Sequence, residues 1–149
     1  RVPVEDLNQE KPELERVLRH EIAHAFVRES GGNAVPGWLN EGLAQWLEQR
    51  DLGRRAEAIR SARAKLKGKA LLPLERMQKS LGDRSDDHEI ALAYAESLAL
   101  TDAIERAWGE RVLYEMVAAC RSAAGCDQTF RLRTGSDLQT ALSDMQREL

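Results

Sequence analysis

The sequence predicts an all-α or nearly all-α fold, and three features carry that expectation. Apolar residues recur at helical spacing along most of the 149-residue chain. Gly, Pro and short polar runs interrupt those stretches where helices should start and stop. Alternating β-branched runs are scarce, and only Val2 to Val4 suits a strand of any kind.

The first helix is predicted over Glu13 to Ser30, with Pro12 at its start and Gly31-Gly32 beyond its end. The second follows Pro36-Gly37 and runs from Trp38 to Arg50, placing Leu39, Leu43, Trp46 and Leu47 on one face. Arg54 to Lys67 is rich in good helix formers but poor in large apolar residues, so a solvated surface helix ending at Gly68 is expected. Leu71 to Leu81 suits a short helix or turn, and Gly82 to Asp87 a polar loop. A long helix is predicted from Asp87 to Trp108, with Ile90, Tyr94, Leu98 and Thr101 on one stripe and Gly109 at its end. Glu110 to Ala124 forms another through Val112, Leu113, Met116 and Val117. Two shorter helices, Asp127 to Arg133 and Asp137 to Leu149, complete the chain, with Ser136 as the expected N-cap of the last. Nothing recurs at the ~34-residue period of helical-repeat arrays.

Length and composition narrow the function classes. The chain is long enough for one core and too short for two, so one domain over 1–149 is expected, either whole or a piece of a longer parent. Hydrophobic residues at 42% and charged residues at 32% suit a globular domain rather than a disordered tail. No apolar run approaches the ~20 residues that span a bilayer, so no transmembrane segment is expected. A net charge of -3 with both signs interspersed offers no basic stripe for phosphates, which argues against a nucleic-acid partner. The chain opens at Arg1 without a signal-peptide pattern, so a targeting segment is either absent or removed and the compartment stays open. Cys120 and Cys126 fit neither a CxxC redox pair nor a four-cysteine zinc site. Two states remain for them: a disulfide, if the chain turns back near Gly125, or two inert thiols. The disulfide would favour an exported or cell-envelope protein.

Chemistry concentrates in His20-Glu21-Ile22-Ala23-His24. A four-residue step on a helix sets both imidazoles on one face, where they can share a metal ion. Glu21 lies one residue on from His20, outside the ligand set but within reach of a water at the ion's open position. Histidines four apart also occur by chance on helices, but this chain has only 3 histidines. Two imidazoles and one carboxylate make a catalytic zinc set, so a third ligand is required. Glu41, in Trp38-Leu39-Asn40-Glu41-Gly42-Leu43-Ala44, is the candidate. A solvent-facing glutamate is the plain alternative, yet the apolar neighbours Trp38, Leu39 and Leu43 imply partial burial, where a charge needs a partner. Gly42 and Ala44 leave room for two helices to approach around the ion. An oxyanion donor is expected from Tyr94 or His88, although Tyr94 equally suits the core and His88 the surface. Asn40, Gln45 and Glu96 are candidates for orienting the metal ligands.

These two segments together resemble the gluzincin metallopeptidases, specifically their peptidase MA-like domains. The resemblance implies His20 and His24 as zinc ligands, Glu21 as the base and Glu41 as the third ligand. It also implies a compact zincin-like helical domain with Zn2+ held between the first two long helices, and a peptide or protein substrate. Ala93-Tyr94-Ala95-Glu96-Ser97 resembles a downstream helix of that family and Arg106-Ala107-Trp108-Gly109 its end, so the likeness runs from Val17 to the C-terminus, specific in the two metal motifs and loose beyond them. One departure stands out: related zincins place a β-sheet before the histidine helix, and its edge strand can bind an extended peptide. Only about a dozen residues precede the helix here. The sequence thus leads to a zinc-dependent peptidase using a metal-activated water, with a catalytically inactive zinc-stabilised binding domain as the alternative and a purely structural helical scaffold as a second.

Overall fold

The computed structural model describes residues 4–49, 52–79, 86–122 and 125–149. Eight α-helices are found among them: α1 (Val4–Gly31), α2 (Gly37–Glu48), α3 (Leu52–Leu66), α4 (Leu74–Met77), α5 (Asp87–Trp108), α6 (Glu110–Ala119), α7 (Gly125–Thr134) and α8 (Leu138–Arg147). A 3-10 turn (Gly32–Ala34) follows α1. No strand occurs among the described residues, and the fold is all-α as the periodicity requires.

Several boundaries differ from expectation for identifiable reasons. α1 starts at Val4 and continues through Pro12, so Val4 is helical rather than part of a strand, while residues 2 and 3 lie outside the described set. Proline removes one N–H from the ladder, but its locked φ is a helical value, so it need not mark the start. α2 ends at Glu48, and Arg50 lies outside the described residues, as does most of the expected loop between Gly82 and Asp87. α6 stops at Ala119 rather than Ala124, because Cys120 turns the chain and bonds Cys126 at a Cα–Cα distance of 4.8 Å. The two cysteines are therefore a disulfide and not free thiols. At α8 the cap is Asp137, not Ser136: its carboxylate accepts from Thr140 N at 2.7 Å.

α5 forms the axis of the molecule, packing against α2, α3, α6 and α8. Every residue from Ala95 to Asp102 on it is buried. α3 is not the fully solvated helix its composition suggested: Ala62 and Leu66 are buried against the core, with Ala58 and Ile59 half-buried beside them. Small residues at helical spacing suffice for a close contact with α5, and Arg55 lies over the Trp46 ring at 3.8 Å. Trp38, Leu39 and Leu43 of α2, Met116 of α6 and Phe130 of α7 are among the fully buried side chains of the core. The room left by Gly42 faces α5 rather than the histidine helix, since a Cβ there would lie 2.1 Å from Thr101 Oγ1 and 2.5 Å from the Ser97 carbonyl. α1 packs on α2 and α6 through one face. Among the described residues no helix is long and apolar enough to cross a membrane.

Candidate metal centre

The site is assembled from two facing rows. On α1, Arg16, His20 and His24 follow at four-residue steps; on α2, Asn40, Glu41 and Glu48 look back at them. His20 meets Glu48 and His24 meets Asn40, so the helices run antiparallel and the rows pair in opposite order.

Each imidazole is held from its outer nitrogen. His20 Nδ1 lies 2.8 Å from Glu48 Oε2, and His24 Nδ1 lies 3.1 Å from Asn40 Oδ1. With oxygen acceptors at both Nδ1 atoms, the protons of the neutral rings belong there, and the Nε2 lone pairs turn inward. The two Nε2 atoms stand 3.0 Å apart, with the rings at an interplanar angle of 85°. Two lone pairs at that distance repel unless a proton or a cation lies between them.

Glu41 completes the set. Its carboxylate oxygens lie 3.7 Å from His20 Nε2 and 3.6 Å from His24 Nε2, and Oε2 is buried without a hydrogen-bond partner. The three ligand atoms fall within 4.8 Å of one another. In a tetrahedral zinc site, ligands at ~2.0–2.1 Å from the ion are separated by about 3.3 Å, so this donor set and spacing fit zinc. Burial pushes Glu41 above the usual carboxylate range against the pull of His24 and His20. The hydrogen bond to Glu48, opposed by partial burial, holds His20 above its ordinary value. Burial would raise Glu48 too, but the bond from His20 and the charge of Arg16 outweigh it and hold that carboxyl below the usual range.

Open space flanks the three ligands on two sides. A cavity of about 310 Å³ is lined by His20, Glu21, Gln45, Glu48 and Tyr94, and another of about 320 Å³ by His24, Arg28, Asn40 and Glu41. Glu21 is exposed and faces the first cavity, on the side where Tyr94 stands. Burial, then the charges of Glu41 and Glu21, push the Tyr94 hydroxyl above its ordinary value, so it stays a proton donor at neutral pH.

The structure thus brings His20, His24, Glu41, Glu21 and Tyr94 into one region and leaves others out. His88 is exposed at the start of α5, six residues before Tyr94 and roughly 9 Å of helix rise away. Of the three residues expected to orient ligands, Asn40 alone bonds the side chain of one. Gln45 donates to the backbone oxygens of Tyr94 and Glu41 at 3.0 and 3.3 Å, which ties α2 to α5. Glu96 is buried on α5 and accepts from Leu72 N at 2.9 Å. Glu48 was not expected; its signal in the sequence is the seven-residue step from Glu41, two helical turns that return it to the same face of α2.

Compared with family models, with curated proteins and with solved structures, the chain gives no match.

Proposed function

We propose that the chain is a zinc-dependent hydrolase of gluzincin type, acting as a peptidase. The observation that supports this most directly is the convergence of two inward-facing imidazole nitrogens, 3.0 Å apart, on a half-buried carboxylate whose Oε2 has no other partner. His20, His24 and Glu41 would hold the ion. Zinc, when bound, supplies a Lewis acid for a carbonyl oxygen and lowers the pKa of water toward ~7.

The chain's own residues then divide the work. Glu21, exposed beside the ligand set, accepts the proton of the attacking water and returns it to the leaving amine. The Tyr94 hydroxyl donates to the oxygen that gains charge during attack. Gln45, anchored on the Tyr94 carbonyl, keeps that stretch of α5 beside α2. A peptide enters along the exposed side of α1, where Glu21 lies.

Zinc content of protein purified without added metal or chelator tests the site. About one zinc per chain is expected, with marked loss in Glu41→Ala. Glu21→Gln should keep the metal and abolish hydrolysis of a peptide library. Undiminished turnover in that variant would remove Glu21 as the base. A parent protein that holds zinc but cleaves nothing would favour the zinc-stabilised binding domain. His20→Ala and His24→Ala proteins with unaltered metal content would leave only a helical scaffold.

A further inference from the structure

We infer that Glu48 is the positioning residue for His20, fixing which of its nitrogens faces the ion, and that Arg16 in turn positions Glu48. The inference rests on the zinc reading above and extends it to two residues outside the ligand set.

The geometry is a relay in which each atom of the Glu48 carboxylate has its own task. Oε2 takes the His20 Nδ1 proton at 2.8 Å. Oε1 accepts from Arg16 Nη1 at 2.9 Å and from Gln49 Nε2 at 3.2 Å. Arg16 is itself held on its other side by Glu13, which leaves its guanidinium little freedom. Arg19 adds a donor to the Glu48 backbone oxygen at 3.4 Å. Glu48 is 8% exposed, so a carboxylate here needs partners, and they come from the helix that carries the histidines.

The two histidines are treated differently. His24 has a neutral acceptor, Asn40, while His20 has an anionic one. A carboxylate on Nδ1 fixes the tautomer and makes Nε2 a stronger donor to a metal, whereas an amide mainly orients the ring. Glu48 therefore adds to the affinity of the site through His20, and its loss should be felt more than that of an exposed ion pair of the same length. A purely structural role, tying α2 to α1 through Arg16, would instead affect unfolding and leave the metal untouched.

The two roles separate when zinc affinity, by competition with a chromophoric chelator, is measured beside thermal unfolding of the metal-free protein. Glu48→Ala should weaken zinc binding by about 10–100-fold. Glu48→Gln, isosteric and still able to accept from Nδ1–H, should weaken it less, and Arg16→Ala should fall between Gln and the parent. The Nδ1–H proton resonance of His20 should lose its downfield shift in Glu48→Ala and keep part of it in Glu48→Gln. Glu115→Gln, whose carboxylate pairs with Arg111 and Arg133 away from the site, is the control and should leave zinc affinity unchanged. A parent that binds zinc while both folded Glu48 variants bind within two-fold of it would overturn the role of Glu48. An unchanged Arg16→Ala would overturn only the second step. A parent that binds no zinc would remove the metal reading itself, and this inference with it.

Discussion

α1 and α5 are the two longest helices, and they are built in opposite ways. α5 is enclosed: Ala95 to Asp102 are buried in unbroken succession, with neighbours on several sides. Among the described side chains, α1 is covered on one face only. Ala23, Val27 and Gly31 are buried there, and His20 and His24 sit half-buried at its edge, while Leu14, Leu18, Ile22 and Phe26 stand more than half exposed on the opposite side. The enclosed helix fixes where α2 lies; the half-covered one carries His20, Glu21 and His24. Since α2 is clamped to α5, Glu41 and Glu48 are presented to α1 from a rigid support, and the two histidines are left on a helix with solvent beside it.

The largest difference should appear when an equivalent side chain is cut back on each helix. Leu100→Ala on α5 removes a fully buried side chain and should cost about 2–5 kcal/mol, read from urea unfolding at constant m-value. Leu18→Ala on α1, at 51% exposure, should stay within ~0.5 kcal/mol. Equal losses at the two positions would mean that the outer face of α1 is packed in solution.

A smaller effect tests the clamp itself. Gly42→Ala sets a methyl 2.1 Å from Thr101 Oγ1 and 2.5 Å from the Ser97 carbonyl. The hydroxyl can rotate away, but the carbonyl is helix backbone. The helices must separate, at a cost of about 1–3 kcal/mol. Zinc affinity should fall in the same variant, because Glu41 is the preceding residue and moves with α2. A stable variant with full zinc affinity would show that α5 does not set the position of the ligand.

The unequal treatment of the two helices also explains what was legible in the sequence. The HExxH step, the Gly punctuation after α1 and α5 and the long apolar stripe of α5 are local patterns, and each fell close to its place, whereas Pro12 lies inside α1 rather than at its start. Glu41 was legible because its apolar neighbours implied burial. Glu48 was not, since its partner lies 28 residues away on another helix and no local rule pairs them. Gly42 is legible as space for a close approach, but composition does not say which helix comes near, and that helix is α5. The composition of α3 suggests a solvated helix because alanines bury little area each, yet they let helices pack tightly. The cap of α8 falls on Asp137, one residue after Ser136, a difference set by a single hydrogen bond.

The far end of the enclosed region should respond to acid. Hydrogen bonds from Arg106 and Arg63 hold the Glu148 carboxyl below its ordinary value, and the bond from Thr140 N does the same for Asp137. Both folded values lie below the unfolded ones, so the stabilisation is complete above the ordinary carboxylate range and is lost as pH falls through the lowered values. Urea midpoints should therefore decline from pH 6 toward pH 3, and Glu148→Gln should flatten part of that decline. Glu148 is nearly half exposed, so its share at neutral pH is less than about 1 kcal/mol. An unchanged slope in the variant would place the acid sensitivity elsewhere.

The smallest expected effect is the sharpest test of the bare face. Ile22 is 65% exposed, the most open of the large apolar residues on α1 whose side chains are described, and it lies between Glu21 and Ala23 of the HExxH segment. Ile22→Glu exchanges an exposed apolar side chain for a charged one with better helix propensity, and no contact of the core is lost. Stability of the chain should change by less than ~0.5 kcal/mol, and zinc affinity should match the parent because the ligand rows face the other way. Turnover is the quantity that can still move: a peptide that reaches the ligand set past Glu21 and extends over α1 would meet a new negative charge at position 22. Loss of hydrolysis with stability and zinc both intact would show that the substrate extends over the exposed face from the Glu21 side, whereas loss of stability would show that Ile22 is packed in solution.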